Sequence, residues 1–212
     1  ESAEWDDQFR AQLSKIRQGV AVIAQERKSR LRAAVDEALK PLRLQQGVSR
    51  TPRDIQFHFG LEAPEDTGQV VPVWVRDGWE VDDKQVQGKA REAGTDSPTL
   101  FVWLPQNRDE VLRENIIRMK AAQAVLDLKG VPTSAQAEEA RDAMEARRRD
   151  AERSIEQIIK DILSGARAFK GGGTELHALE LVDKVQDGAN DALKRLFPRF
   201  DEADHKGWEV AA

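Results

Sequence analysis

The sequence feature that most constrains this chain is an apolar repeat over residues 133–169. Its apolar residues recur mostly at steps of three and four, which places them on one face of an α-helix. These residues are Ala137, Ala140, Met144, Ala151, Ile155, Ile158, Ile162 and Phe169. Thr133 and Gln136 have the spacing of a capping box, and the glycines at 171–173 predict the end of the helix. Such a helix spans about 55 Å and therefore needs partner helices along its seam.

A second helical repeat occupies the start of the chain, over residues 5–40. Its apolar positions step by four and three and are Trp5, Phe9, Leu13, Ile16, Val20, Ile23, Leu31, Val35 and Ala38. Gly19 weakens the middle of this helix by about 1 kcal/mol relative to alanine. Pro41 predicts its end, because the residue before a proline disfavours the helical conformation.

Short apolar segments between these helical regions predict a small sheet of three to four strands. The predicted strands are residues 55–59, 70–75, 79–81 and 100–104. Pro72 favours an edge position for the second strand, because proline donates no hydrogen bond to a neighbour. The continuous apolar run at 100–104 suits a central strand that is buried on both faces. Residues 82–93 are predicted to form a short helix capped by Asp82 or Asp83.

Two further helices are expected after the sheet. The first covers residues 109–129, with Asn107 or Asp109 as its cap, and its stripe is Leu112, Ile116, Met119, Ala122 and Leu126. The short connection at 130–132 predicts that this helix and the long helix form an antiparallel αα-hairpin. The last helix is predicted over 174–196, with inward-facing Leu179, Val182, Val185, Ala189, Leu193 and Leu196. Pro198 ends it, and Phe200 and Trp208 in the tail are expected to cover a neighbouring surface.

These elements indicate an α+β fold that is mainly α, with long antiparallel, coiled-coil-like helices and one small sheet. We expect four segments along the chain. They are a long N-terminal helix at 1–46, a sheet subdomain at 47–106, a long helical hairpin at 107–173, and a C-terminal helix and tail at 174–212.

Composition limits the classes of function that are open to the chain. Its 33 basic and 38 acidic residues give a formal net charge of −5, so no whole-chain field attracts nucleic acid. The chain has no cysteine, which excludes disulfides and thiolate chemistry and fits a reducing cytoplasm. No apolar run approaches the roughly 20 residues that span a bilayer. The polar first residues show no signal peptide, and we expect a piece of a longer protein.

Few residues suggest a chemical site. The three histidines, His58, His177 and His205, do not lie at helical spacing from one another, so structural or solvent roles are favoured over metal binding. The glycines at 171–173 are not followed by the lysine and hydroxyl residue of a P-loop. Helix termination is the favoured interpretation, and an anion site at the start of the next helix is the alternative.

Other aromatic and acidic residues give no catalytic arrangement either. Trp74, Trp79 and Trp103 all lie on predicted strands, where a shared core is favoured over a stacking platform. Most carboxylates fall on predicted helix surfaces. The sequence therefore predicts no catalytic, cofactor-binding or metal-binding residue in this chain.

Two basic clusters leave nucleic-acid binding open as an alternative. The clusters are Arg27, Lys28, Arg30 and Arg32, and Arg147, Arg148, Arg149 and Arg153. Acidic residues interleave the second cluster at helical spacing, which favours a salt-bridged helix surface. Arg27 and Arg147 each interrupt an apolar seam. They either fix the register between helices, as polar seam residues do in coiled coils, or mark an exposed stretch.

Several motifs resemble a known family. They are the stretches 73–79 (VWVRDGW), 94–98 (GTDSP), 99–105 (TLFVWLP), 129–133 (KGVPT), 139–144 (EARDAM) and 169–173 (FKGGG). Together they resemble the middle region of the BrxC family, also called PglY, the large P-loop ATPases of BREX bacteriophage-defence systems. The resemblance covers most of the chain from about Val73 onward. The nucleotide-binding motif of that family has no counterpart here, so no functional residue is carried over.

The resemblance implies a parent protein of the AAA+ or STAND-like class that binds ATP and Mg²⁺ elsewhere in its chain. Such a protein works with other BREX components, including a DNA methyltransferase and a phosphatase-like protein, to restrict phage. For this chain we expect a non-catalytic scaffold that contacts those components, other parts of the parent, or a second copy through its helices, without a membrane. The alternative is a helical module that contacts nucleic acid through the clusters around Arg30 and Arg148. A self-standing enzyme is least favoured, and we expect no ATP binding or hydrolysis by this chain.

Overall fold

The computed structural model describes residues 2–200 and 202–204, and these are mainly α-helical with a small sheet, as the sequence predicts. The helices are α1 Ser2–Arg17, α2 Val20–Leu39, α3 Asp83–Ala93, α4 Asp109–Lys129, α5 Ala135–Ser164 and α6 Leu181–Leu196. The strands are β1 Gln45–Gln46, β2 Thr51–Pro52, β3 Ile55–Phe59, β4 Val71–Asp77, β5 Leu100–Leu104 and β6 Arg167–Phe169. The chain divides into a helical unit, residues up to 34 with 107–161, and a sheet unit, residues 35–106 with those from 162 onward.

In the helical unit, α4 and α5 form the predicted αα-hairpin. Leu126 near the end of α4 packs in one cluster with Ala140 near the start of α5. At the opposite end of the hairpin, Arg108 forms an ion pair with Asp161. The two helices therefore run antiparallel, as the short connection between them predicts. All five residues of the predicted α4 stripe are buried, and Ile117, Ala121 and Val125 are buried as well.

Helix α1 packs antiparallel to α4 and covers part of the hairpin. Arg17 pairs with Glu114 at 2.8 Å, and Lys129 at the other end of α4 pairs with Glu4. Between these ion pairs lies an apolar cluster of Trp5, Ala122, Val125, Leu126, Ala140 and Met144, with Phe9 packed against it. The N-terminal repeat thus supplies the partner surface that the long helix requires.

The prediction of one continuous N-terminal helix is wrong, because the chain breaks between α1 and α2. The amide of Gly19 donates to the carbonyl of Ile16 at 2.9 Å, a three-residue step that tightens the end of α1. Glycine is a poor helix former and tolerates this break at little cost. Val20, which was expected in the seam, is 73% exposed, whereas Ile23 and Leu31 are buried.

The long helix is shorter than predicted at both ends. The hydroxyl of Ser134, rather than that of Thr133, accepts from the amide of Ala137 at 3.1 Å. The helix ends at Ser164, and Phe169 belongs to β6 instead. Within these bounds the predicted seam is confirmed, with buried Ala140, Met144, Ala151, Ile155, Ile158 and Ile162. Helix α4 has the predicted bounds, Asp109–Lys129, but the predicted cap is wrong, because the residue before the helix is Arg108 in a left-handed conformation, without a side-chain cap.

The sheet unit contains a four-stranded sheet in the order β3-β4-β5-β6. The first three strands are parallel, and β6 is antiparallel to β5. Helix α3 links β4 to β5 and packs on one face, where Val86 and Ala90 contact Trp74, Phe101 and Phe169. Helix α6 contacts β4, β5 and β6. The capping box of α3 from Asp82 is confirmed, and so is the inner position of β5.

Two expectations about the strands are wrong. Strand β4 is an inner strand although it contains Pro72. The amide of Val71 donates to Asp54 on the β3 side, so the nitrogen of Pro72 faces the β5 side, where pairing starts only at Val73. Proline therefore removes no ladder hydrogen bond. The segment at 79–81 is not a strand, because the amides of Glu80 and Val81 both turn back to the carbonyl of Asp77.

The C-terminal helix starts seven residues later than predicted, at Leu181. The segment before it is held extended beside β6, because Glu175 bridges to Phe169 and the amide of Leu176 donates to Ala168. Leu179 is consequently 91% exposed, while Val185, Ala189 and Leu193 are buried as expected. In the tail, Phe197 and Phe200 pack against the guanidinium of Arg53, and Trp208 lies outside the described residues.

The buried seam of α5 makes a paired stability prediction. Ile158 is 2% exposed, so Ile158→Asp places an unpaired carboxylate in the core and should lower the free energy of unfolding by about 3 kcal/mol or more. Glu156 is exposed two positions away, and Glu156→Lys should change the free energy by no more than about 0.5 kcal/mol. Denaturant unfolding followed by circular dichroism measures both values. Equal unfolding midpoints for the two variants would contradict the helical register.

Candidate functional site

In the basic cluster around Arg30, the guanidinium of Arg30 forms ion pairs within the helical unit. The guanidinium of Arg30 donates to both carboxylate oxygens of Glu152, at 2.7 and 2.6 Å, and its Nε donates to Glu26 at 3.0 Å. Lys120 approaches Glu26 at 3.4 Å. This network joins α2 to α5 and to α4, and we refer to Glu26, Arg30, Lys120 and Glu152 as the three-helix ion-pair network.

The electrostatics of this network follow from its geometry. The carboxylate of Glu152, together with that of Glu26, raises the pKa of Arg30 although burial opposes this. Burial acts to raise the pKa of Glu26, but the hydrogen bond from Arg30 and the charge of Lys120 outweigh it and lower that pKa. Both groups are therefore charged near neutral pH and neutralise each other. A cation held in this way has little capacity left for a phosphate.

The basic cluster around Arg148 is also partly engaged. Arg147 pairs with Asp6 of α1 at 2.9 Å, and its guanidinium carbon lies 5.0 Å from the ring centre of Phe9. Arg153 lies 3.5 Å from Asp150 on the same helix. Of the two roles considered for Arg147, its own exposure agrees with an exposed stretch, and its contact with α1 is compatible with fixing the register between helices.

A groove of about 550 Å³ runs between α1, α4 and α5. It is lined by Asp6, Phe9, Arg10, Leu13, Asn115, Arg118, Arg147, Asp150, Ala151 and Ser154. Three arginines from three different helices converge there, beside two aspartates. Neither Arg10 nor Arg118 stands out in the sequence, because residues that meet only through helix packing form no cluster along the chain.

The glycines at 171–173 form a tight turn after β6, so both interpretations of this motif are wrong. They do not follow a helix, and the next helix begins only at Leu181. The amides of Gly172 and Gly173 donate to Ala90 and Lys170, at 2.8 and 2.9 Å, and do not present a cradle for phosphate. A Cβ on Gly171 would lie 2.5 Å from the carbonyl oxygen of Gly94, which explains the glycine there.

A second arginine that the sequence did not single out, Arg167, anchors this turn. Its guanidinium donates to both carboxylate oxygens of Glu175, at 2.8 and 2.7 Å, and also to Asp83 at the start of α3. Glu175 and Asp83 raise the pKa of Arg167, and the hydrogen bonds from Arg167 lower the pKa of Glu175. The arrangement joins β6, α3 and the segment after the turn.

Of the tryptophans and histidines considered as candidate site residues, those that the structure describes lie in the core or on the surface of the fold. Trp74 and Trp103 share the core on the α3 face of the sheet, as expected, whereas Trp79 is half-buried on the turn after β4. His58 is half-buried on β3, His177 is exposed, and His205 lies outside the described residues. Within residues 2–200 and 202–204, no group of three or more histidine, aspartate or glutamate residues is placed to hold a metal ion. No helix in the same residues is long and apolar enough to cross a membrane.

The three-helix ion-pair network makes a second stability prediction. Glu152→Gln removes one charge from a pair whose side chains are only 23% and 26% exposed, which leaves Arg30 without its main partner. The free energy of unfolding should fall by about 2 kcal/mol. Asp150→Asn, in a pair that is more than 70% exposed, is the matched control and should cost less than about 0.5 kcal/mol. Chemical denaturation of both variants gives the values. A loss for Glu152→Gln as small as that for Asp150→Asn would show that the network does not stabilise the fold.

No protein-family model, curated protein or solved structure matches the chain.

Proposed function

We propose that this chain is a non-catalytic scaffold and interaction module of a BrxC-like ATPase that acts in bacteriophage defence. The observation that carries the proposal is the use of the charged residues. Arg30, Arg147 and Arg167 each bind carboxylates within their own unit, and these contacts hold helices and strands together. These charged side chains therefore serve to hold the fold together.

The positions of the family-like motifs support the same proposal. The stretches 73–79 and 99–105 supply β4, β5 and the residues that follow them, and 129–133 supplies the turn between α4 and α5. The stretch 139–144 contributes Ala140 and Met144 to the core of the helical unit. The stretch 169–173 forms the end of β6 and the glycine turn. Each of these five motifs therefore occupies a position where folding rather than catalysis accounts for its residues.

The scaffold proposal is tested in a full-length parent that protects cells from phage. Ile158→Asp in that protein should abolish protection, because it disrupts the helical hairpin. Nucleotide binding should persist, since the nucleotide site is expected elsewhere in the parent. Phage plating and binding of a fluorescent ATP analogue measure the two properties, with Glu156→Lys as the variant that should retain both. Full protection by an Ile158→Asp protein whose hairpin has melted would refute the scaffold role.

One observation favours nucleic-acid binding as a second candidate. Arg10, Arg118 and Arg147 line the same groove of the helical unit, and such a concentration of arginines attracts phosphates. Against it, Asp6 and Asp150 line the groove too, and Asp6 already pairs with Arg147. The groove therefore presents mixed charge, which predicts weak binding that depends strongly on salt.

Binding to a duplex DNA separates the two candidates. At about 150 mM salt the 212-residue chain should bind a 20-base-pair duplex with a Kd no tighter than about 10 μM, as nonspecific contacts do. The double variant Arg10→Glu, Arg118→Glu, which reverses the charge of two arginines that line the groove, should bind at most a few-fold more weakly. Fluorescence anisotropy gives both constants. Submicromolar binding that the double variant loses would instead establish the groove as a nucleic-acid interface.

A further inference from the structure

A separate cavity of about 280 Å³ lies in the sheet unit, between β4, the turn after it and α3. Its lining residues are Trp74, Arg76, Val81, Gln85, Val86, Gly88, Lys89 and Glu92. Pockets that bind small molecules begin near this volume. The arginines on which the scaffold proposal rests, Arg30, Arg147 and Arg167, do not line this cavity, so its polar groups require their own explanation.

The guanidinium of Arg76 is the buried polar group of this cavity. The residue is only 9% exposed, although arginine is rarely buried without a close partner. Its two hydrogen bonds, from Nη1 to the carbonyl of Leu61 and from Nη2 to Glu80, are both 3.4 Å long, near the limit for a hydrogen bond. Its guanidinium carbon also lies 5.4 Å from the ring centre of Trp74. Its Nε is buried and has no hydrogen-bond partner among the described residues. Arg76 therefore retains unused capacity to donate hydrogen bonds to an acceptor.

The rest of the cavity wall is mainly apolar. The indole N–H of Trp74 donates to the carbonyl of Gly60 at 2.9 Å, so the polar edge of this ring is already satisfied. Val81 and Val86 complete the apolar surface. Gly88 leaves space in the wall, because a Cβ built on it would meet no atom within 4 Å. Lys89, which pairs with Glu92 at 3.1 Å, adds a charged pair.

We propose that this cavity binds a small carboxylate that carries an apolar body. A carboxylate offers two acceptor oxygens that match the fork of a guanidinium, and the apolar body would lie against Trp74 and the valines. A single negative charge is favoured over a phosphate dianion, because Glu80 and Glu92 also lie at this site. The volume suits a ligand of about ten heavy atoms, for which a Kd of about 1 mM is expected.

Phenylacetate and its neutral analogue phenylacetamide are suitable probes for the full 212-residue chain. In ¹H–¹⁵N NMR titrations, phenylacetate should shift the indole N–H signal of Trp74 in a saturable manner and leave that of Trp5 unchanged. Phenylacetamide should bind at least about ten-fold more weakly, because it lacks the charge that meets Arg76. Arg76→Gln should weaken phenylacetate binding by a similar factor.

Two variants at Gly88 keep the proposal testable if Arg76→Gln does not fold. Gly88→Leu should fill the cavity and abolish binding while leaving the charges unchanged. Gly88→Ala is the matched control, which should bind phenylacetate like the original chain and melt at the same or a higher temperature, since alanine favours helices over glycine. Equal binding of the acid and the amide, unchanged binding by Gly88→Leu, or the lack of a saturable shift would overturn the proposal.

Discussion

The apolar seam of α5 is the constraint on which the helical unit depends. A helix of 30 residues is about 45 Å long, and its buried side chains must be covered along that length. Near the start of α5 the seam residues Ala140 and Met144 pack with α4, the second arm of the hairpin, and Trp5 and Phe9 of α1 complete this cluster. Arg147 interrupts the apolar seam, and its charge is paired with Asp6 of the neighbouring helix α1. Packing of the apolar side chains therefore supplies the stability of this part of the unit.

The charged residues of this protein act mainly as connectors between elements. Exposed pairs such as Arg153 with Asp150 contribute little, because water and salt screen them. The bidentate contacts of Arg30 with Glu152 and of Arg167 with Glu175 are more enclosed and have a defined direction. Such contacts favour one arrangement of the elements over others of similar apolar packing. This role is compatible with a module that presents a fixed surface to its partners.

Sequence periodicity predicted the elements whose structure is set locally or by a long repeat. The α5 seam, the hairpin turn at 130–132 and the buried run of β5 were all recovered. Elements that depend on a distant partner were missed. Strand β6 has only three residues and takes its conformation from pairing with β5. Its residues therefore continue the apolar repeat of the long helix in the sequence and are predicted as helix. The cavity around Arg76 was missed for the same reason, because α3 and β4 meet there only in the folded chain.

The helical unit is assembled from two distant parts of the chain, and this has a consequence for its biosynthesis. Trp5 leaves the ribosome long before its partners Leu126 and Ala140, with more than roughly 100 residues made in between. At typical rates of translation this interval lasts about 5–20 s. During that time the apolar face of α1 has no native surface to cover it. Temporary burial against the part of the nascent chain that is already available would cover that face until the hairpin emerges.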